Sequence, residues 1–260
     1  MTAPAIPCRE PERLAALARY EILDTTPEDA FDELARLASV ICGTPIALIS
    51  LVDGSRQWFK ARVGLDATET PRDISFCGHA IHERDLFIVS DALDDARFAT
   101  NPLVTGAPNI RFYAGAPLTT PDGENLGTLC VIDRRPRRLN EEQRAALRTL
   151  ARQVIVQLEL RRIISEQQHV ERTLRGERDA LERLKNNFMS TVSHELRTPI
   201  TSIRGSLGLL ASGVLGELPD EAQQLVTVAE RNSVRLITVV NDILDFESQL
   251  ADDDRAGERA

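Results

Sequence analysis

In the run Phe188-Met189-Ser190-Thr191-Val192-Ser193-His194-Glu195-Leu196-Arg197-Thr198-Pro199, one histidine stands beside a carboxylate, with an arginine and a hydroxyl a helical turn further on. The apolar residues Phe188, Val192, Leu196, Ile200, Ile203, Leu207 and Leu210 recur at steps of four and three, which predicts a helix with one buried stripe. At ~100° per residue His194 lies roughly 200° from Val192, opposite that stripe and facing water. Arg197 and Thr198, three and four residues on, share its face, and Glu195 is its lateral neighbour. An imidazole is largely neutral near pH 7 and nucleophilic, and a carboxylate that accepts a hydrogen bond from one ring nitrogen leaves the other free to attack phosphorus. Glu195 is the candidate for that role. Arg197 would counter phosphoryl charge, and the Thr198 hydroxyl would orient a water for the reverse, hydrolytic step. Pro199 has no N–H to give to the Glu195 carbonyl, so it loosens or bends the helix just past the histidine. The plain alternative is a solvent-facing histidine on an ordinary amphipathic helix, which accounts for the exposed face but not for the grouping.

The run SHELRTPITSI resembles the H-box of the dimerisation and histidine-phosphotransfer (HisKA) domain of bacterial sensor histidine kinases. The stretch RLITVVNDILDFES resembles that family's second bundle helix, with Ala222, Leu225, Ala229, Leu236, Val240 and Ile243 as its stripe. The resemblance covers roughly residues 185 to 249. It implies that His194 is the phosphoacceptor, that Glu195 is its acid/base partner, and that Glu195 and Thr198 assist dephosphorylation of a response-regulator receiver domain. Pairing the helical hairpin with a second copy would bury both stripes in a four-helix bundle, so a parallel homodimer is expected. Such kinases also use an ATP-binding domain with glycine-rich boxes. Gly205, Gly208, Gly213 and Gly216 lie in or beside the bundle helices and lack the strand–loop–helix context of a phosphate loop. ATP and magnesium are therefore expected only through a separate kinase domain, either acting in trans or missing from this chain, with no cofactor bound by this chain. The competing functional class is a non-catalytic dimeric sensor or adaptor that modulates full-length kinases.

A net charge of −9, without a basic cluster interleaved with aromatics, argues against nucleic acid as a partner. Cys8, Cys42, Cys77 and Cys130 form no CxxC pair and are expected to be free thiols in a reducing compartment, with no metal site. No apolar run reaches the ~20 residues of a bilayer span, and the proline-rich start has no signal-peptide core, so a cytoplasmic protein without a membrane partner is expected. The input would then be a cytosolic or diffusible signal.

The first half must supply that input. Thr26-Pro27 predicts a helix start and Gly43 its end, giving a helix over 27–42. Pro45–Val52 and Gln57–Val63 predict a hairpin around Asp53-Gly54, and further strands are expected at Leu86–Ser90, Arg111–Leu118 and Leu126–Ile132. Helix, antiparallel strands and a closing helix make an α+β domain. The stretches ILDTTPEDAFDELARLA, RQWFKARVGL, SFCGHAI, RFYAGAPL and GTLCVID resemble a GAF domain, a small-molecule sensing fold. That resemblance implies an unidentified small-molecule ligand. Trp58, Cys77, His79, Phe112 and Tyr113 are candidates to line its pocket, against the alternative that they are plain core. Bilin-binding relatives carry a Cys-His attachment pair that is lacking here, so neither covalent bilin nor tightly held haem is expected.

Asn140 and Gln143 match a capping box, and from there to Ser212 only Gly176 and Pro199 interrupt the helical pattern. Leu160, Ile163, Val170, Leu174, Leu181, Leu184 and Phe188 keep a seam of threes and fours, which reads as a coiled coil. The expected layout is an N-terminal tail (1–13), a GAF-like sensor (14–160), a coiled-coil linker (161–187), a HisKA-like helical hairpin (188–249) and a disordered acidic tail (250–260).

Overall fold

The computed structural model describes residues 2–212, 214, 216 and 218–257, with side chains through Asp242, and divides into two units at His169/Val170. The first unit is built on a six-stranded, wholly antiparallel sheet of β1 (Ile46–Val52), β2 (Arg56–Val63), β3 (Glu69–Pro71), β4 (Phe87–Val89), β5 (Phe112–Thr119) and β6 (Asn125–Asp133). Its spatial order is β3-β2-β1-β6-β5-β4. β1, the run IALISLV, is buried at every position because it lies inside the sheet with both faces covered. One face carries α1 (Glu10–Ala18), α2 (Asp29–Cys42) and the start of α5 (Glu141–Ala211), with Phe31, Leu51, Trp58, Phe112, Leu147 and Val154 in its core. The other carries α3 (Phe76–Ala80) and α4 (Pro102–Thr105) over Leu48, Phe59, Phe98, Tyr113 and Cys130. Alternation along β5 sends Phe112 to the first face and Tyr113 to the second.

The expected strands are present within a residue or two, and the Asn140/Gln143 box is reciprocal, with Gln143 N donating to Asn140 Oδ1 at 2.8 Å and Asn140 N to Gln143 Oε1 at 3.1 Å. Gly43, at φ 62°, closes α2 in the left-handed conformation. The start of α2 differs: it begins at Asp29, not at Pro27. The buried ammonium of Lys60 donates to Thr25 Oγ1, the Thr26 carbonyl and Glu28 Oε1, which holds residues 25–28 in a non-helical turn. The N-terminal tail also differs. α1 begins inside it at Glu10, and Arg13, only 2% exposed, donates to the Val52 carbonyl at 2.6 Å while pairing with Glu10. This charged residue is thus a buried tie between α1 and the sheet.

The second unit holds the remainder of α5 and α6 (Asp220–Gly257), with Pro219 directly before α6. α5 continues through Gly176 and Pro199. Ser193 and Ile200 of α5 are buried, and Ala222, Val226, Ala229, Ser233, Ile237 and Val240 of α6 are half-buried. Of the expected stripes, Ile200, Ala222, Ala229 and Val240 lie on the inner line of the single hairpin and Leu196, Leu225 and Leu236 are exposed, while Val226 and Ile237 join the inner line of α6. A helix in a two-helix hairpin buries one narrow line of threes and fours, and apolar residues a step to the side stay open. α6 is helical through Gly257, past the Leu250 at which a disordered tail was expected, since no glycine or proline interrupts that stretch. The side chain of Ile243, Gly213 and residues 258–260 lie outside the described residues.

Candidate functional site

The residues expected to handle phosphate sit on α5 with their helix face open. His194, Glu195, Arg197, Thr198 and Pro199 are all exposed, while Ser193 just before them is buried. The Thr198 hydroxyl donates to the His194 carbonyl at 3.1 Å, and Arg197 Nη2 donates to Asn241 Oδ1 of α6 at 2.7 Å. This second bond links the motif to the opposite helix. Pro199 gives no N–H to the Glu195 carbonyl, so that carbonyl lacks its helical bond, while the His194 carbonyl before it accepts the Thr198 hydroxyl. Among the described residues no hydrogen bond joins His194 to Glu195. The pair is adjacent and accessible, and an incoming group can reach the ring without displacing core.

The five pocket candidates of the first unit do not share a cavity. Trp58 and Phe112 pack on the helical face, and Cys77 and Tyr113 on the opposite one. His79 is half-buried, stacks edge-on against Phe98 at 4.9 Å and donates from Nε2 to the Thr2 carbonyl at 3.1 Å. Burial holds its imidazole below the usual value. These five therefore do not line one pocket: Trp58, Cys77, Phe112 and Tyr113 are core on two opposite faces of the sheet, Phe112 and Tyr113 parted by strand alternation, and His79 lies half-buried on α3.

A cavity of about 300 Å³ does exist elsewhere, between β1, β2, the 65–67 loop and α4. Ile46, Leu48, Phe59, Leu103 and Ile110 supply apolar walls, and Gln57, Asp66 and Thr70 polar ones. Gln57 is 5% exposed; its Nε2 donates to Thr70 Oγ1 at 2.7 Å, and its Oε1 has no hydrogen-bond partner. The signal readable in sequence was a glutamine on the same strand face as Phe59, where an apolar residue would be expected. Among the described residues no cluster of three or more His, Cys, Asp or Glu is arranged to hold a metal ion, and no described helix is long and apolar enough to cross a membrane.

Comparison with known proteins gives two family matches: the GAF domain over residues 26–158 and the His Kinase A (phospho-acceptor) domain over residues 184–251. The chain is 43% identical over 196 residues to the cyclic di-GMP phosphodiesterase PA2567 of Pseudomonas aeruginosa, covering 74% of this chain and 33% of that protein. It is 47% identical over 62 residues to the sensor histidine kinase RcsC of Salmonella typhimurium, covering 24% of this chain and 6% of that one. The chain thus spans a third or less of these relatives' lengths. Among solved structures, the GAF domain from a phosphoenolpyruvate-protein phosphotransferase of Coxiella burnetii aligns with 60% of this chain and 95% of that one, at 16% identity and a TM-score of 0.46.

Proposed function

Since the chain belongs to the GAF domain family and carries a HisKA domain behind it, we propose that it acts in two-component signalling as a dimeric, cytoplasmic phosphoacceptor governed by a small-molecule sensor. The observation that carries this reading is the exposed His194, flanked by Glu195, Arg197 and Thr198 on an open helix face. An ATP-binding kinase domain supplies the γ-phosphoryl group with magnesium. The bond from the γ-phosphorus to ADP breaks as a nitrogen–phosphorus bond forms, and the group then passes to an aspartate oxygen of a receiver domain. Glu195 takes or returns the ring proton, and Arg197 steadies phosphoryl charge. Thr198, once its hydroxyl leaves the His194 carbonyl, orients a water in the hydrolytic direction.

Dimerisation follows from what the single hairpin leaves open: Phe188, Leu196 and Ile203 on α5 and Leu225, Leu236 and Val239 on α6 are all more than two-fifths exposed. A second copy would cover them.

The test supplies an ATP-binding domain from a sensor kinase together with labelled ATP and magnesium. Acid-labile label should appear on this chain and vanish in His194→Gln, while Glu195→Gln slows labelling by ~10²-fold. Thr198→Ala should keep the label on this chain and slow only the loss of phosphate from a phosphorylated receiver domain. Label that persists in His194→Gln would defeat the choice of acceptor. The adaptor reading has one observation in its favour: an overlap of 196 residues with a protein named as a phosphodiesterase extends well beyond the helical unit, so similar sensors accompany other outputs. If neither a kinase domain nor a phosphorylated receiver exchanges phosphate with His194, that reading replaces the first.

A further inference from the structure

We propose that Cys77 and Cys130 are a redox pair, which a peroxide converts to an intrachain disulfide and a thiol reductant reopens. The two residues are 53 apart in sequence, yet their sulfurs lie 4.0 Å from each other between α3 and β6. A disulfide needs ~2.05 Å, so the sulfurs must close by about 2 Å. The two partners differ in how easily they can give that distance. Cys130 is in an interior strand, hydrogen-bonded on both sides, whereas α3 is a five-residue helix that makes no ladder bonds to the sheet. A small slide of α3 closes the gap without breaking strand pairing.

The surroundings also separate this pair from the other thiols. Tyr113 Oη donates to Cys77 Sγ at 3.4 Å and lies 3.3 Å from Thr128 Oγ1, so two hydroxyls in relay face the sulfur from within an otherwise apolar layer. Burial alone would raise the Cys77 thiol, but its contacts with the Cys130 sulfur and the Tyr113 hydroxyl oppose that rise and the thiol is held below its usual value, while burial and Cys77 push Cys130 up. Cys42 is buried too, yet burial raises it, with only the charge of Arg137 in opposition. Cys8 is exposed. Cys77 is therefore the attacking sulfur and Cys130 the resolving one.

The chemistry balances with hydrogen peroxide as oxidant. The Cys77 sulfur attacks one peroxide oxygen, the O–O bond breaks, and the departing hydroxide takes the Cys77 proton and leaves as water. The Cys130 sulfur then attacks the sulfenic sulfur, the S–O bond breaks, and a second water leaves with the Cys130 proton. Two thiols lose two electrons and one peroxide becomes two waters. Access lies through the N-terminal segment over α3, where Pro4 packs on Gly78 and the Thr2 and Ala5 carbonyls accept from His79 and His82 Nε2 at 3.1 and 2.8 Å. A short strap of this kind opens at far lower cost than the sheet beneath it.

The experiment uses the full chain with Cys8→Ala and Cys42→Ala, leaving two thiols. Hydrogen peroxide should remove both thiols titratable in denaturant, lower the mass by two hydrogens, and join the peptides containing Cys77 and Cys130. Dithiothreitol should reverse all three, and the oxidised chain should melt roughly 5 °C or more above the reduced one, as expected for a closed loop of this length. With Cys130→Ser added, a sulfenic acid trapped by dimedone should accumulate on Cys77. Two retained thiols, or oxygen added to either cysteine without a linked peptide, would overturn the pair. Dimedone adduct on Cys130 in a Cys77→Ser chain but none on Cys77 in the Cys130→Ser chain would overturn the assigned order of attack.

Discussion

The sensor unit and the helical unit solve the same problem in opposite ways. In the sensor, an antiparallel sheet is covered on both faces, so residues as large as Phe31, Phe98, Phe112 and Tyr113 lie at 0–1% exposure within one chain. In the helical unit, described side chains buried to that degree are absent; among them Ile200 at 7% is the most enclosed apolar residue, and Leu225 stands 72% exposed. The first unit has its own core, and the second leaves much of its apolar surface open. Stability of the sensor should therefore be unimolecular, and that of the helical unit should depend on concentration. The chain holds a single tryptophan, Trp58, buried in the sensor, so its fluorescence follows that unit while sedimentation follows the other.

The largest effect should come from the sensor core. Phe112→Ala removes a ring with 0% exposure and should cost about 3–5 kcal/mol, lowering the midpoint of Trp58 unfolding equally at all protein concentrations. A loss under about 1 kcal/mol would mean the ring borders open space, and the pocket reading of Phe112 would return.

Next is an acid effect confined to the sensor. Partial burial alone would raise the Glu10 carboxyl, but hydrogen bonds and charge from Arg13 and Arg72 outweigh it and hold the group at about 2, against an ordinary 4.5. A depressed carboxyl contributes its full stabilisation above the unfolded value and loses it as pH falls through the folded one. Trp58 stability should thus drop by up to about 3 kcal/mol between pH ~4.5 and ~2, and Glu10→Gln should flatten that slope. The ion pair Arg178–Glu182 of the helical unit, with both side chains more than half exposed, predicts no matching change in self-association. A slope unaltered by Glu10→Gln would place the acid sensitivity elsewhere.

These two cases also show what was legible from residues alone. Strand positions and the helical motif at His194 were readable because period-two and period-3.6 patterns are local. Arg13 and Lys60 were not, since each is charged and its burial depends on distant partners: the Val52 carbonyl for one, residues 25–28 for the other. The inner line of the helical hairpin was half legible. Both Leu236 and Ile237 are apolar, and only the packing of α6 on α5 decides that Ile237 turns inward.

That distinction can be tested in the helical unit. Leu236→Glu leaves the single hairpin nearly undisturbed, because the residue is already 52% exposed, but it would put a charge into the surface proposed for a second copy. The dimer dissociation constant should rise by roughly 10- to 100-fold, with the Trp58 midpoint unmoved. Unchanged sedimentation would mean that the open apolar faces are not the dimer surface.

The smallest effect sharpens the boundary between the two behaviours. Asn140 caps α5 at the point where the helix joins the sensor core through Leu147, Leu150, Val154 and Leu158, and Gln143 Nε2 also donates to the Ile41 carbonyl at the end of α2, at 3.1 Å. Asn140→Ala leaves the Gln143 N–H without its acceptor, a loss of about 1 kcal/mol, or ~2–4 °C for a unit of this size. The loss should be read by Trp58 and not by sedimentation, although the same helix runs on into the helical unit. The reason is that a cap acts only within the first turn, and the apolar residues that hold that turn belong to the sensor. If the variant instead weakens self-association while sparing the Trp58 midpoint, α5 transmits end effects along its length, and the two units cannot be treated as energetically separate.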